Sequence, residues 1–214
     1  MKCILCEQRK AKRSCPAKDA QICTQCCGQK RVLEIACPES CQYLKEGREW
    51  EAADYRKRIQ NLDQATLEKN RRILMEHQSA IAHLEYAISR QRILLRDLSD
   101  KDVAQAVDIL LENYRTEDKG LLYERNSEDL RVESVRLELR EIIESYRNPE
   151  GEDERGIVDP KNTRLQLGAA IECLEFIRSL AEAYLKDRSS GSGYVDFLAR
   201  VVPREETRSS IVMP

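Results

Sequence analysis

Large rings are scarce in this chain of 214 residues: one Trp, two Phe and eight Tyr make up 5% of it. A core built from such a composition has to rely on Leu, Ile, Val and Ala. Residues 1 to 45 contain no histidine, which with carboxylate is the usual ligand of a catalytic zinc. Gly and Pro are also few, at eight and six, and residues 39 to 148 contain no proline, so long helices can run without interruption. No apolar run approaches the ~20 residues of a membrane-spanning helix. The N-terminus, MKCILCEQRKAKRSC, lacks the apolar stretch and small-residue cleavage site of a secretory signal, so a soluble protein of the cytoplasm is expected. A net charge of −2 gives no global attraction to nucleic acid or membrane. No Gly-rich phosphate loop, nucleophile elbow or His pair stands out, and the acidic residues alternate with Lys and Arg along helical stretches. No enzyme is expected.

What the chain does have is cysteine, and nearly all of it at one end. Cys3, Cys6, Cys15, Cys23, Cys26, Cys27, Cys37 and Cys41 fall within the first 41 residues, and Cys173 stands alone. In a reducing compartment such density points to metal rather than disulfides. A C-x2-C turn lets two thiolates face one ion, and two such turns complete a tetrahedral zinc site. Cys3, Cys6, Cys23 and Cys26 supply that set. Cys27 directly follows Cys26, and adjacent side chains diverge, so it is expected to face a second ion with Cys15, Cys37 and Cys41. Asp19 is the alternative eighth ligand. Iron–sulfur clusters also use four thiolates, but eight cysteines fit two zinc ions without remainder.

Residues 1 to 49 carry ten Lys and Arg against six Asp and Glu. That excess of four positive charges cancels the formal −2 of each four-thiolate zinc centre. The basic strip RKAKR, 9 to 13, is read either as an offset to thiolate charge or as a small contact surface for a partner or nucleic acid.

The order of a leading C-x2-C, a lone cysteine, an internal C-x2-C and a closing pair resembles the B-box zinc finger and its HIT and MYND relatives. The resemblance covers about 45 residues. It implies a small cross-braced module holding two structural zinc ions. Here Cys37 and Cys41 stand where B-boxes usually have histidines, and Lys18 stands where they place a Cys or Asp. B-box fingers often precede coiled coils in tripartite-motif proteins, where they support self-association and partner binding.

Beyond the cysteines, Leu67, Leu74, Ile81, Ile88 and Leu95 recur every seven residues, widened by Ile73, Ala80, Ala87 and Leu94. This predicts one helix from about 43 to 97, ~80 Å long at 1.5 Å per residue. His77 is expected to be half-buried and His83 exposed. Ser99 reads as the N-cap of a helix carrying Val103, Val107, Leu110 and Tyr114. Asn126 and Asp129 mark a restart, 148 to 160 a loop, and 162 to 187 a further helix in which Cys173 is a packing residue. RSSGSG, 188 to 193, reads as a linker. YVDFLARVV, 194 to 202, reads as a docking helix or a peptide-like motif, followed by a disordered end.

The expected architecture is mostly α, with a Cys-rich zinc finger at 1–45, a helical coiled-coil or bundle body at 46–187 and a flexible tail at 188–214. The expected role is that of a non-enzymatic interaction or scaffold protein with protein partners, associating with its own copies through the helical seam. The alternatives are a nucleic-acid-binding or regulatory protein using the basic strip, with weak binding, and a redox switch that releases zinc on thiol oxidation.

Overall fold

The computed structural model describes residues 1–121, 123–148, 164–186 and 191–202. The chain is mostly α. A short antiparallel hairpin pairs β1 (Arg13–Cys15) with β2 (Ala20–Ile22), Cys15 opposite Ala20. The helices follow as α1 (Thr24–Lys30), α2 (Gln42–Gln60), α3 (Gln64–Leu94), α4 (Asp100–Asp118), α5 (Leu130–Arg147), α6 (Leu167–Leu185) and α7 (Gly193–Val201). No helix among the described residues is long and apolar enough to cross a membrane. The predicted loop beyond Asn148, residues 188–190 of the linker and the chain end beyond 202 lie outside the described residues.

The single helix expected over 43–97 is broken. α2 stops at Asn61, and Asp63 opens α3 by accepting from Thr66 N–H at 3.0 Å and from the Thr66 hydroxyl at 2.6 Å. A second interruption sits at His77, whose φ of −130° and ψ of 32° leave the helical region. Met75, Glu76, Gln78 and Ser79 are all exposed there, so the apolar stripe lapses for one turn and nothing holds the helix straight. The two halves then pack on different neighbours. Before the kink, Lys69 and Arg72 pair with Glu175 and Glu172 of α6. After it, His83 meets Tyr146 and Gln91 meets Ser134, running antiparallel to α5.

The centre of the seven-residue seam is consumed inside the chain, while Leu67, Leu74 and Leu95 are half-buried and Leu94 is exposed. Ile81 and Ile88 are 2% and 0% exposed, in one core with Ile73, Leu84, Val103, Leu110, Val135, Leu139, Leu174 and Ile177. At about 25 cal/mol per Å² of apolar surface removed from water, this bundle core is the main stabilising feature of the body. Ser99 caps α4 in a reciprocal box with Asp102, as its sequence position predicts. Asp129 caps α5. Cys173 is fully buried, and burial pushes its thiol up to about 12, as befits a packing residue.

The segment 193–201, placed by sequence in the tail, is a docked helix seated on α3. Tyr194, Val195 and Leu198 are at most 1% exposed. Its first turn is capped by Asp100, whose carboxylate accepts from the N–H groups of Tyr194 and Val195 at 3.0 Å. The few rings of the chain gather here: Tyr55 stacks on Phe197 at 4.7 Å between centroids, and Tyr184 lies 5.6 Å from Tyr194. Beneath them Glu85 receives the Tyr55 and Tyr194 hydroxyls at 3.4 Å each.

Candidate metal centre

Six of the eight cysteines in the N-terminal 41 residues are buried, and Cys6 and Cys37 are half-buried. The chain leaves Cys3 in a tight turn, with Glu7 N–H bonding to Cys3 O at 2.7 Å, and Glu7 then adopts a φ of 53°. That left-handed residue swings the N–H groups of Gln8 and Arg9 toward the Cys6 sulfur, and their bonds lower the Cys6 pKa. Cys23 is the N-cap of α1, its sulfur accepting from Cys26 N–H at 3.3 Å, so a ligand position doubles as a helix cap. One helical turn places Cys26 beside it.

The four sulfurs of Cys3, Cys6, Cys23 and Cys26 lie within 4.8 Å of one another, and three of these residues are buried. All nine cysteines are free thiols. A single cation could therefore bridge the four sulfurs with modest adjustment, giving a four-thiolate tetrahedral site of the kind zinc takes. Arg9 supports negative charge here: its Nε lies 3.4 Å from Cys23 Sγ and its Nη2 3.8 Å from Cys26 Sγ. The Cys26 backbone N–H and then the Arg9 guanidinium lower the Cys23 pKa to about 6. Burial instead pushes Cys26 up to about 11. Crowded thiols of this kind give up their protons when they bind a cation.

The other four cysteines are dispersed over more elements. Cys15 ends β1, Cys27 lies in α1, Cys37 is half-buried in the loop after it, and Cys41 is the N-cap of α2. Burial raises the Cys37 pKa, and the negative charges acting on it come from Cys41, Cys15 and Cys27. Cys27 is thus one of the groups whose charge acts on Cys37, while Asp19 sits exposed in the β1–β2 turn with a φ of 46°. Val32 is held at a φ of 65°, uncommon for a β-branched residue, and its N–H bonds to the Cys37 sulfur. The sulfurs of this second group are not drawn together as the first four are; among the described residues only that first group of Cys, His, Asp or Glu ligand atoms converges so closely.

Sequence reasoning left the role of RKAKR open between charge offset and contact surface. Arg9 points to Cys23 and Cys26, and Arg13 Nη1 lies 3.3 Å from Cys27 Sγ with its guanidinium over the Tyr43 ring at 4.7 Å. Both arginines face sulfur. No spacing rule foretold this, since the contacts depend on how the hairpin folds over α1.

Comparison with known protein families, curated proteins and solved structures finds no match to this chain. Its class is therefore defined by the molecule itself: a mostly α protein with an N-terminal cysteine cluster that can hold a metal ion.

Proposed function

We propose that this chain is a non-enzymatic zinc-binding interaction protein of a reducing compartment such as the cytoplasm. Its N-terminal module holds two structural zinc ions in a cross-braced, B-box-like arrangement and presents a fixed surface to a protein partner. The observation that carries the reading is the convergence of the Cys3, Cys6, Cys23 and Cys26 sulfurs within 4.8 Å, with Arg9 placed to balance their charge. A four-thiolate centre leaves zinc no open position for water or substrate, which favours a structural over a catalytic role. The second ion is assigned to Cys15, Cys27, Cys37 and Cys41, supported by the charges of Cys41, Cys15 and Cys27 that act on Cys37.

The rival use of the basic strip for nucleic acid is disfavoured, because Arg9 and Arg13 contact sulfur and leave Lys10 and Lys12 as the strip's charges without a sulfur contact. Ile81 and Ile88 of the seam are buried within the chain, which favours packing inside one copy over association through the seam. Elemental analysis of protein purified without added metal tests the reading, with two zinc ions per chain expected. One zinc per chain, with the four remaining cysteines open to a thiol reagent, would remove the second site. Iron with sulfide, or no metal at all, would overturn the zinc assignment.

A further inference from the structure

Between the cysteine module and the body lies a cleft of about 350 Å³ that none of the preceding argument uses. Its walls come from three parts of the chain: Arg13 and Arg31 of the module, Tyr43, Gly47 and Trp50 of α2, and Arg200 of α7. Three guanidiniums converge here from positions up to 187 residues apart, and each is held in place. Arg13 is pinned by Cys27 and the Tyr43 ring. Arg200 donates to Glu51 at 2.9 Å.

Arg31 is held by a missing side chain. A Cβ at Gly47 would fall 1.2 Å from Arg31 Nη1 and 2.5 Å from its Cζ, so the guanidinium occupies space that any other residue at 47 would fill. Arg31 Nη1 donates to Tyr43 O at 3.2 Å. Its Nε, the side that pairs edge-on with a carboxylate, is buried without a partner among the described residues, and so is Arg200 Nε. Buried donors without partners are rare in folded proteins and call for an explanation. Among the described residues the Arg31 side chain makes one hydrogen bond, to Tyr43 O, so its guanidinium keeps donors for a ligand in the cleft that it lines.

We propose that this cleft binds an aspartate or glutamate side chain of an acidic peptide segment in the protein partner, with Arg31 as the principal contact. The local charge chooses among anions. Glu46 and Glu51 share the walls with the three arginines, leaving a net charge of +1. That balance suits a monoanionic carboxylate better than a doubly charged phosphate or a nucleic-acid backbone. Trp50, 61% exposed at the rim, and Tyr43 give the residue beside the carboxylate an apolar surface. The assignment rests on the interaction-protein reading for its ligand, and it can fail while the zinc assignment stands.

Trp50 is the only tryptophan of the chain, so intrinsic fluorescence reports directly on the cleft. The full-length, metal-loaded protein is titrated with acetyl-Ala-Glu-Leu-amide, its uncharged counterpart acetyl-Ala-Gln-Leu-amide, inorganic phosphate and a short single-stranded RNA, all at matched ionic strength. A saturable change with the acidic peptide alone is expected. Arg31→Gln should weaken it at least about tenfold, the loss typical of a charge-assisted contact. Gly47→Ala should do the same by expelling the Arg31 guanidinium, while α2 keeps a better helix former. Zinc content and far-ultraviolet dichroism of both variants should match the parent. With those intact, no saturable response to the acidic peptide would overturn the proposal. So would an equal response to the uncharged peptide, unchanged affinity in both variants, or tighter binding of phosphate or RNA.

Discussion

The cysteine module and the helical body are held together by opposite means. In the body, dozens of aliphatic side chains from five helices share one core, and removing any single one leaves the rest in contact. In the module the buried cluster is Cys3, Cys15, Ile22, Cys23, Cys26, Cys27 and Ile35, so five of its seven members are thiols. Such a cluster buries too little apolar surface to offset the chain entropy of ordering some forty residues. Without a cation its sulfurs crowd one another and its backbone is strained at Val32. The body should fold by burial alone, whereas the module should need its metal.

That contrast is most sharply broken at the ligands. Cys26→Ser removes a central sulfur of the convergent set. Structural zinc supplies on the order of 10 kcal/mol in small modules, so the module should lose its structure and its zinc. The body's helical dichroism should persist. A variant that unfolds as a whole on thermal scanning would show that the two regions are not independent.

A smaller effect is expected from the converse change. Ile81→Asp places a charge at a site 2% exposed in the bundle. It should cost about 4 kcal/mol or more, in the range of the most damaging core substitutions. Chemical denaturation followed by dichroism reads the loss, and zinc content per folded chain should stay unchanged. If the seam instead served association between copies, light scattering would register a smaller species with little loss of monomer stability.

Smaller again is a dependence on pH seated under α7. Burial raises Asp100 to about 6, with Asp196 adding to the shift, and raises Glu85 to about 7 despite hydrogen bonds from the Tyr194 and Tyr55 hydroxyls. Both pKa values are higher folded than unfolded, so the folded chain holds the extra protons. The resulting stability is fully present below the unfolded values near 4 and lost as pH rises to about 7. From pH 5 to 8 the denaturation midpoint should therefore fall by the equivalent of about 1–3 kcal/mol. Glu85→Gln should remove part of that slope. A slope unchanged in this variant would show that other groups set it.

The sequence made some of these features readable and hid others. Two C-x2-C turns announce the convergent set because ligand spacing is local. Ser99 and Asp102 announce α4 because a capping box lies within four residues. The break after α2 was also written locally, in Asp63 and Thr66, but the seven-residue repeat from Leu67 to Leu95 suggested a continuous rod. That repeat specifies a buried stripe and is silent on whether the stripe meets another chain or its own. The kink at His77 has no proline or glycine to mark it; only the lapse of apolar residues from 76 to 79 hints at a corner. The turning of Arg9 and Arg13 onto sulfur, the seat of α7 on Asp100 and the fit of Arg31 against Gly47 join residues far apart in sequence. Contacts of that kind come from the fold, not from local pattern.

The central claim is that the module is folded by metal and the body is not. Amide hydrogen exchange read by mass spectrometry, on the full chain before and after chelation, tests it most directly. Protection over residues 1–41 should collapse when the metal is withdrawn, while peptides from α3, α4 and α6 should exchange as slowly as before. Retained protection in 1–41 with the metal demonstrably gone, or equal loss of protection in α3, α4 and α6, would contradict the account.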